Sequence, residues 1–474
     1  MRYRTTDYFS DIEQGSRVVI YGTGERGRAL YDSIRELRPD IQVPFWLDSF
    51  EAGMLGEKEI LTPNMLAARK YTYDGILIAS AYSAEIMENL PSDIADRTSR
   101  AGGGLCHAGA RLRGESSLYP DLSIELTTYC NMRCEFCTHR LYERKNRHMD
   151  IEQFAFLLDE VVDSNFTDHI SLGLMGEPLV YPHIEQAVKE CVDRKLKTTM
   201  ITNGVLLTPE TYKRLHDLGL SGLQFSLHDF TEESFAYRRA AGGMSYAKYR
   251  AQLFDCLDLY MKENYTSLMN IVVSFMKRHD PISRMWDMEP SLAEGDDAEK
   301  HVLEFGAEIE ALAHKNDYAL GIDYERIQEV LAGIDLLRKE AFVLDLNDSL
   351  RFVISPIFPH TEREMAELRP DYTTRFRYVG PDEKEHCSGA DGASISVDGH
   401  LFVCGNAPCY PDDFAELSMG RITPENRLRD IVSTDRFQRP YRAVLLGELP
   451  HEYCKKCKGS YEFIGGAGEE NNAV

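Results

Sequence analysis

The run Leu122-Ser-Ile-Glu-Leu126 is followed directly by Thr-Thr-Tyr-Cys130-Asn-Met-Arg-Cys134-Glu-Phe136-Cys137. The first stretch alternates apolar and polar residues as a strand does, so three thiols are delivered together past a strand end. Three thiolates inside eight residues can all face one inorganic cluster. A [4Fe–4S] cube normally takes four cysteines, so three local ligands leave one iron open to something else. A structural zinc site is the competing reading. It wants a fourth Cys or His and usually two CxxC pairs, and His139 stands near enough in sequence to supply one ligand.

Further segments bear on that choice. Ile170-Ser-Leu-Gly-Leu-Met175-Gly176-Glu177-Pro178 reads as a strand and a tight turn, and Thr198-Thr-Met-Ile-Thr202-Asn203-Gly204 as a strand end. Leu223-Gln-Phe-Ser226-Leu-His-Asp229 is another strand, with Arg238-Arg239 after it. Alone, a Ser or Asn ending a strand is usually a turn or a cap. In this order, and at strand-plus-helix intervals, the segments resemble the signature of the radical S-adenosylmethionine (radical SAM) superfamily. The resemblance implies that Cys130, Cys134 and Cys137 hold a [4Fe–4S] cluster whose open iron chelates the amine and carboxylate of SAM, with Phe136 beside it. It also implies a SAM-amine loop of Gly176, Glu177 and Pro178, with Met175 standing where the family has its first glycine. Thr202, Asn203 and Ser226 would line the cofactor, and Arg239 would meet the SAM carboxylate, with Arg238 next in line. An electron donor such as flavodoxin or ferredoxin is implied as partner.

Residues 120–280 alternate strands with amphipathic helices, which gives a parallel sheet with crossover connections. The resemblance makes this an α/β partial (β/α)6 TIM-like barrel over 120–385, with its site at the carboxyl ends of the strands. An acidic helical insertion at 281–345 is expected to act as a partial lid.

At 474 residues the chain suggests about three domains. The hydrophobic and charged fractions, 43% and 27%, are ordinary for a globular protein. A net charge of −24 argues against a nucleic-acid partner, which needs a basic surface. No apolar run approaches a membrane span and the N-terminus lacks a signal-peptide core, so a cytoplasmic protein with no membrane partner is expected. The chain has eleven cysteines, and those that cluster then read as metal ligands rather than disulfides. Cys106, Cys191 and Cys256 lie apart and read as small buried hydrophobes.

Near the N-terminus, Arg17-Val-Val-Ile-Tyr-Gly22-Thr-Gly24-Glu-Arg-Gly27 is a β-branched run delivering a GxGxxG turn into a helix. Phe45-Trp-Leu-Asp48 follows as a strand ending in an acid, and Gly75-Ile-Leu-Ile-Ala-Ser80 as a third strand. Residues 1–100 are therefore expected to form a Rossmann-like domain. Gly22, Gly24 and Gly27 would bind a nucleotide's phosphates and Asp48 its ribose. A docking module that kept the glycines for the turn alone is the plainer alternative. Residues 101–119, rich in Gly, Arg and Ser, read as a linker.

Cys387 and Cys404 bracket Ala393-Ser-Ile-Ser-Val-Asp398-Gly399-His-Leu-Phe-Val, a hairpin with Asp-Gly at its turn. Cys454 and Cys457 form a later CxxC pair. This set resembles the SPASM/twitch extension of radical SAM enzymes, which implies an auxiliary [4Fe–4S] cluster on these four thiolates and two clusters in all. A zinc ribbon would use the same donors. The expected layout is a small β-hairpin/helix Fe–S domain over 386–462 and a flexible tail over 463–474. Cys409 is left over; it could replace a ligand or, as the catalytic candidate, return a hydrogen atom to a substrate radical.

Three functions are open on this reading. The first is a radical SAM enzyme that takes hydrogen from a small molecule, a carbohydrate or nucleotide-linked sugar, giving oxidation or epimerisation; the nucleotide module motivates that choice. The second is a peptide- or protein-modifying enzyme, common among SPASM members, although residues 1–100 do not look like a leader-binding domain. The third is a redox-sensing or binding module without SAM chemistry.

Overall fold

The structure, a computed structural model, describes residues 5–6, 9, 12–50, 52–68, 71–80, 86, 90, 94, 97–101, 108, 111, 116–134, 137, 139, 146–227, 230–236, 238, 243–275, 296–325, 327–328, 342–356, 376–379, 392–405, 414–446, 448, 451 and 460–463. Two large sheets organise it. The first contains β1 (Thr5–Thr6), β2 (Val18–Tyr21), β3 (Trp46–Leu47), β4 (Gly53–Leu55), β5 (Lys58–Leu61), β6 (Gly75–Ile78) and β7 (Thr98–Ala101). Their spatial order is β1-β7-β6-β2-β3-β5-β4, with only β4 antiparallel to its neighbour. The chain winds from β2 one way to β5, then crosses to β6 and β7 on the other side, so the order reverses between β2 and β6. All of β2 is buried, which is why it reads as an unbroken apolar run. Gly22 then turns the chain at φ +115° into helix α1 (Glu25–Leu37). A Cβ on Gly27 would lie 1.8 Å from the Gly22 carbonyl oxygen, so the first turn of α1 can close over the strand end only with glycine there.

This sheet overruns the boundaries expected from sequence. β7 reaches Ala101, which is buried, and Ala108 is fully buried, so the start of the expected linker belongs to the folded unit. Glycine richness suggested a linker there, but packing against neighbouring strands outweighs composition.

The second sheet is the barrel. β8 (Asp121–Ile124), β9 (His169–Leu172), β10 (Lys197–Thr202), β11 (Gly222–Ser226), β12 (Leu268–Phe275) and, after β13 (Phe342–Asp345), β14 (Leu350–Pro356) include six strands that pair in parallel; only β13 runs antiparallel, on the edge beside β14. Helices α2 (Ile151–Asp163), α3 (Ile184–Asp193), α4 (Pro209–Asp217) and α5 (Tyr246–Lys262) connect successive strands. Each begins or ends with a definite signal. Asp150, Thr208 and Ser245 accept backbone N–H bonds at the N-termini of α2, α4 and α5.

All four helices end in the same way. Asn165, Lys195, Gly219 and Asn264 take positive φ one residue past the cap. The amides that follow, of Phe166, Leu196, Leu220 and Tyr265, reach back to the carbonyls of Val161, Cys191, Leu215 and Tyr260 at 3.0–3.1 Å. This is the Schellman arrangement with its buried apolar pair, and it stops each helix within a few residues of the next strand.

Helix α6 (Asp296–Lys315) lies in the expected insertion. It does not behave as a lid over its described length. Val302, Phe305, Ile309 and Ala313 are buried, and the Phe305 ring packs against Phe254 of α5 and Phe352 of β14 at 5.6 and 5.9 Å. The helix is part of the barrel wall ahead of β14.

β16 (Gly392–Ile395), which follows β15 (Phe376–Val379), pairs in parallel with β8, and β17 (His400–Phe402) returns against it. The turn closes with Gly399 at φ +84°, its N–H donating to the Ser396 carbonyl at 2.8 Å. The hairpin expected in a domain of its own thus continues the barrel sheet. Buried Glu125 fixes this junction, accepting the Val397 N–H at 2.9 Å. Farther along, Glu160 of α2 is buried and paired with Arg427, and it accepts the Leu428 N–H, which ties the helix Leu428–Val432 to the barrel. Among the described residues no helix is long and apolar enough to cross a membrane.

Candidate functional site

The carboxyl ends of β8 to β11 gather the residues singled out in sequence. Past β8, Thr127 and Thr128 are buried and Cys130 and Cys134 are half-buried against the core. The Cys137 amide donates to the Cys134 carbonyl at 3.2 Å, forming a tight turn between two of the thiols. Burial pushes the Cys130 thiol up to about 11 and the Cys137 thiol to about 12, and the neighbouring thiols add to both shifts. Three thiolates so close in a dry setting require positive charge beside them, which is what iron supplies. The donor set therefore fits an iron–sulfur cluster. His139, the candidate fourth zinc ligand, holds its Nε2 at 2.8 Å from the Thr128 carbonyl oxygen.

The turn after β9 packs directly on this segment. The Glu177 amide donates to the Tyr129 carbonyl at 2.8 Å. A Cβ on Gly176 would lie 2.1 Å from the Thr127 oxygen and 2.8 Å from that of Tyr129, so glycine is needed for the approach. Met175 is buried with ordinary negative φ, so that position tolerates a side chain.

Glu177 is 2% exposed and its carboxylate takes three protein donors. These are the Leu179 amide (3.1 Å), the Thr202 hydroxyl (2.7 Å) and the Asn203 amide (2.7 Å). Burial raises its pKa, and these bonds and the Arg238 charge oppose the rise. The sequence reading gave Glu177 to the SAM ammonium; in the structure it ties the turn after β9 to the end of β10, with Pro178 opening a short turn behind it.

Asn203 is the centre of this end of the barrel. Its side-chain N–H group donates to Asn131 Oδ1 at 2.7 Å and lies 3.8 Å from Cys130 Sγ, and its carbonyl accepts the Tyr249 hydroxyl at 3.0 Å. Gly204 follows at φ +79°, where a Cβ would run into the Phe225 ring at 2.2 Å. Sequence reasoning missed Tyr249 and Asn131. Tyr249 is fully buried on α5, and nothing in its surroundings in the chain distinguishes it from a core aromatic.

Ser226 ends β11, and its carbonyl accepts both Arg238 Nη1 and the Tyr249 hydroxyl at 3.0 Å. Arg238 is 1% exposed and also donates to the Leu227 carbonyl at 2.8 Å. It braces the strand end through these bonds. Arg239 and Phe136 lie outside the described residues.

Cys404 and the residues of the glycine turn are not brought here. Cys404 follows β17, which runs back toward the amino end of β8. Its carbonyl accepts the Ser394 hydroxyl at 2.8 Å; burial raises the pKa of Tyr119, just before β8, and the nearby Cys404 thiol adds to that rise. It sits at the opposite end of the sheet from Cys130. Cys387, Cys409, Cys454 and Cys457 lie outside the described residues. In the first sheet, Asp48 accepts the Thr23 amide and hydroxyl at 3.2 and 2.8 Å and the Phe50 amide at 3.0 Å. The acid expected to meet a ribose is thus engaged in bracing the glycine turn. Gly24 caps α1 with open space where a Cβ would stand.

Comparison with known proteins agrees with this geometry. A family model described as the radical SAM superfamily matches residues 124–276, which run from the last residue of β8 through β12 and include the turns just described. A PqqA peptide cyclase from Ruegeria pomeroyi is 31% identical over 355 residues, covering 70% of this chain and 78% of that one. The tungsten-containing aldehyde ferredoxin oxidoreductase cofactor-modifying protein of Pyrococcus furiosus is 36% identical over 106 residues, 22% of this chain; the chain spans only 30% of the length of that curated relative. Streptococcus suis SuiB bound to precursor peptide SuiA is loosely similar in structure, with a TM-score of 0.43 and 15% identity over 79% of this chain and 86% of that one. With the family model lying on the strands that carry the thiol cluster and the cyclase matched along most of both chains, this chain belongs to the radical SAM superfamily of enzymes.

Proposed function

We propose that the enzyme modifies a peptide or protein, using SAM to remove hydrogen from a residue of that substrate. The observation that carries this reading is the 31% identity with a protein named a PqqA peptide cyclase, sustained over 70% of the chain. The carbohydrate reading favoured by the sequence has less behind it. It depended on a nucleotide handle at Gly22, Gly24 and Gly27, and Asp48 is already occupied by Thr23 and Phe50.

In this reading Cys130, Cys134 and Cys137 would hold a [4Fe–4S] cluster, which would supply one-electron reduction of SAM. A flavodoxin or ferredoxin would be the electron donor. Asn203 positions Cys130 through its side-chain amide, and Glu177 and Arg238 hold the turns around the cofactor in fixed register. Ser226 and Asn203 face the same strand ends and line the SAM side of the site. Cys387, Cys404, Cys454 and Cys457 hold the second cluster in this proposal.

The test is substrate deuteration. Anaerobically reconstituted enzyme is incubated with SAM, reductant and either a perdeuterated peptide pool or perdeuterated sugars and nucleotide sugars. Deuterium should appear in 5′-deoxyadenosine from the peptides. Deuterium arriving only from the sugar pool would overturn the assignment and restore the carbohydrate reading.

A further inference from the structure

The first sheet has a second concave site, at the end opposite its glycine turn. Arg17 immediately precedes β2, Gln42 and Val43 lead into β3, and Lys58 opens β5; these strands are parallel, so all four residues lie at their amino ends. Tyr31 and Arg35 come in from the later turns of α1. Together with neighbouring apolar side chains they line an open cleft of about 520 Å³, a size typical of small-molecule sites.

The charge of this cavity is unlike that of the chain. Arg17, Arg35 and Lys58 line it and no carboxylate does, in a protein of net charge −24. Among the described residues none of the three cations is in an ion pair. Arg17 Nε is buried without a hydrogen-bond partner. The nearby acid, Asp74, is taken by the backbone amide of Arg17 at 2.7 Å and not by its guanidinium. Arg35 and Lys58 each lie 5.8 Å from the centre of the Tyr31 ring, and Lys58 is also held by a hydrogen bond to the Val43 carbonyl. Converging like charges and an orphaned buried N–H are both unfavourable unless an anion is present to accept from them.

We propose that this cavity binds a small molecule with a phosphate or carboxylate head on an apolar body. The head meets Arg17, Arg35 and Lys58, where a guanidinium fork suits a planar or tetrahedral oxyanion. The body rests on the apolar lining around Val43. This site is separate from the glycine turn at the other end of the sheet and does not depend on the substrate proposed above.

Calorimetry on the full-length protein tests it, with phenyl phosphate, phenylacetate and inorganic phosphate as probes. Phenyl phosphate should bind, weakening at least about tenfold in Arg17→Gln and in Lys58→Gln, with SAM cleavage unchanged in both. Stronger binding of phenylacetate would make the head a carboxylate and still support the site. Arg35→Gln, on an exposed helix position, should weaken binding too and serves if either other variant melts early. Gly24→Val should leave phenyl phosphate binding intact. No binding of any probe at millimolar concentration, binding undiminished in the variants, or binding lost in Gly24→Val instead would overturn the proposal.

Discussion

Glu177 shows how a residue's chemistry depends on what surrounds it. Its carboxylate is buried and takes three donors from two turns. Glu177→Gln replaces one of those acceptor oxygens with an NH2 group, so at least one donor loses its partner, at a cost of about 1–3 kcal/mol. The urea midpoint of the SAM-free protein should fall accordingly. An unchanged midpoint with weakened SAM binding would show that the carboxylate serves the cofactor directly. Cys191 and Cys256 belong to the same scale. Burial pushes both thiols up to about 12, so they stay protonated at neutral pH and should resist alkylation until the chain unfolds. Rapid labelling of either in native protein would contradict their place in the core.

At the scale of elements, the barrel depends on close approaches between turns. Gly176 lets the turn after β9 sit against the segment leading to Cys130, and an added methyl would meet two backbone oxygens there. Gly176→Ala should therefore displace the thiol segment and lower both cluster loading and SAM affinity, read by iron analysis and calorimetry, while the far sheet keeps its stability. Normal iron content in this variant would show the approach to be dispensable. The strands and helices of this region were legible because strands such as β8 place apolar residues at alternate positions, and three of the four helices have a capping side chain ahead of them, Asp150, Thr208 and Ser245. The helix ends were harder. Asn165, Lys195 and Asn264 take a conformation usually given to glycine, and only their contacts with the next strand make that visible. Tyr249 and Asn131 were not legible because they act through residues distant in sequence.

At the scale of the molecule, two sheets, one doubly wound and one barrel-forming, share a continuous apolar core running from Val18 and Ile20 through Ala101 and Tyr119 to the barrel strands. Sequence separated them with a linker because residues 101–119 are rich in glycine and have no apolar period, yet Ala101, Ala108 and Tyr119 are buried in the shared core. The hairpin at Gly392–Phe402 likewise appeared to be separate, and it is an added edge of the barrel because β16 pairs with β8 across a long stretch of chain. Such long-range pairings leave no local trace. The thiol triad did leave one, and the central claim rests on it. Wild-type protein reconstituted without oxygen should convert SAM to 5′-deoxyadenosine on reduction, while the triple variant Cys130→Ala, Cys134→Ala, Cys137→Ala should form none and lose about four irons per chain. Undiminished 5′-deoxyadenosine from the triple variant would contradict the account.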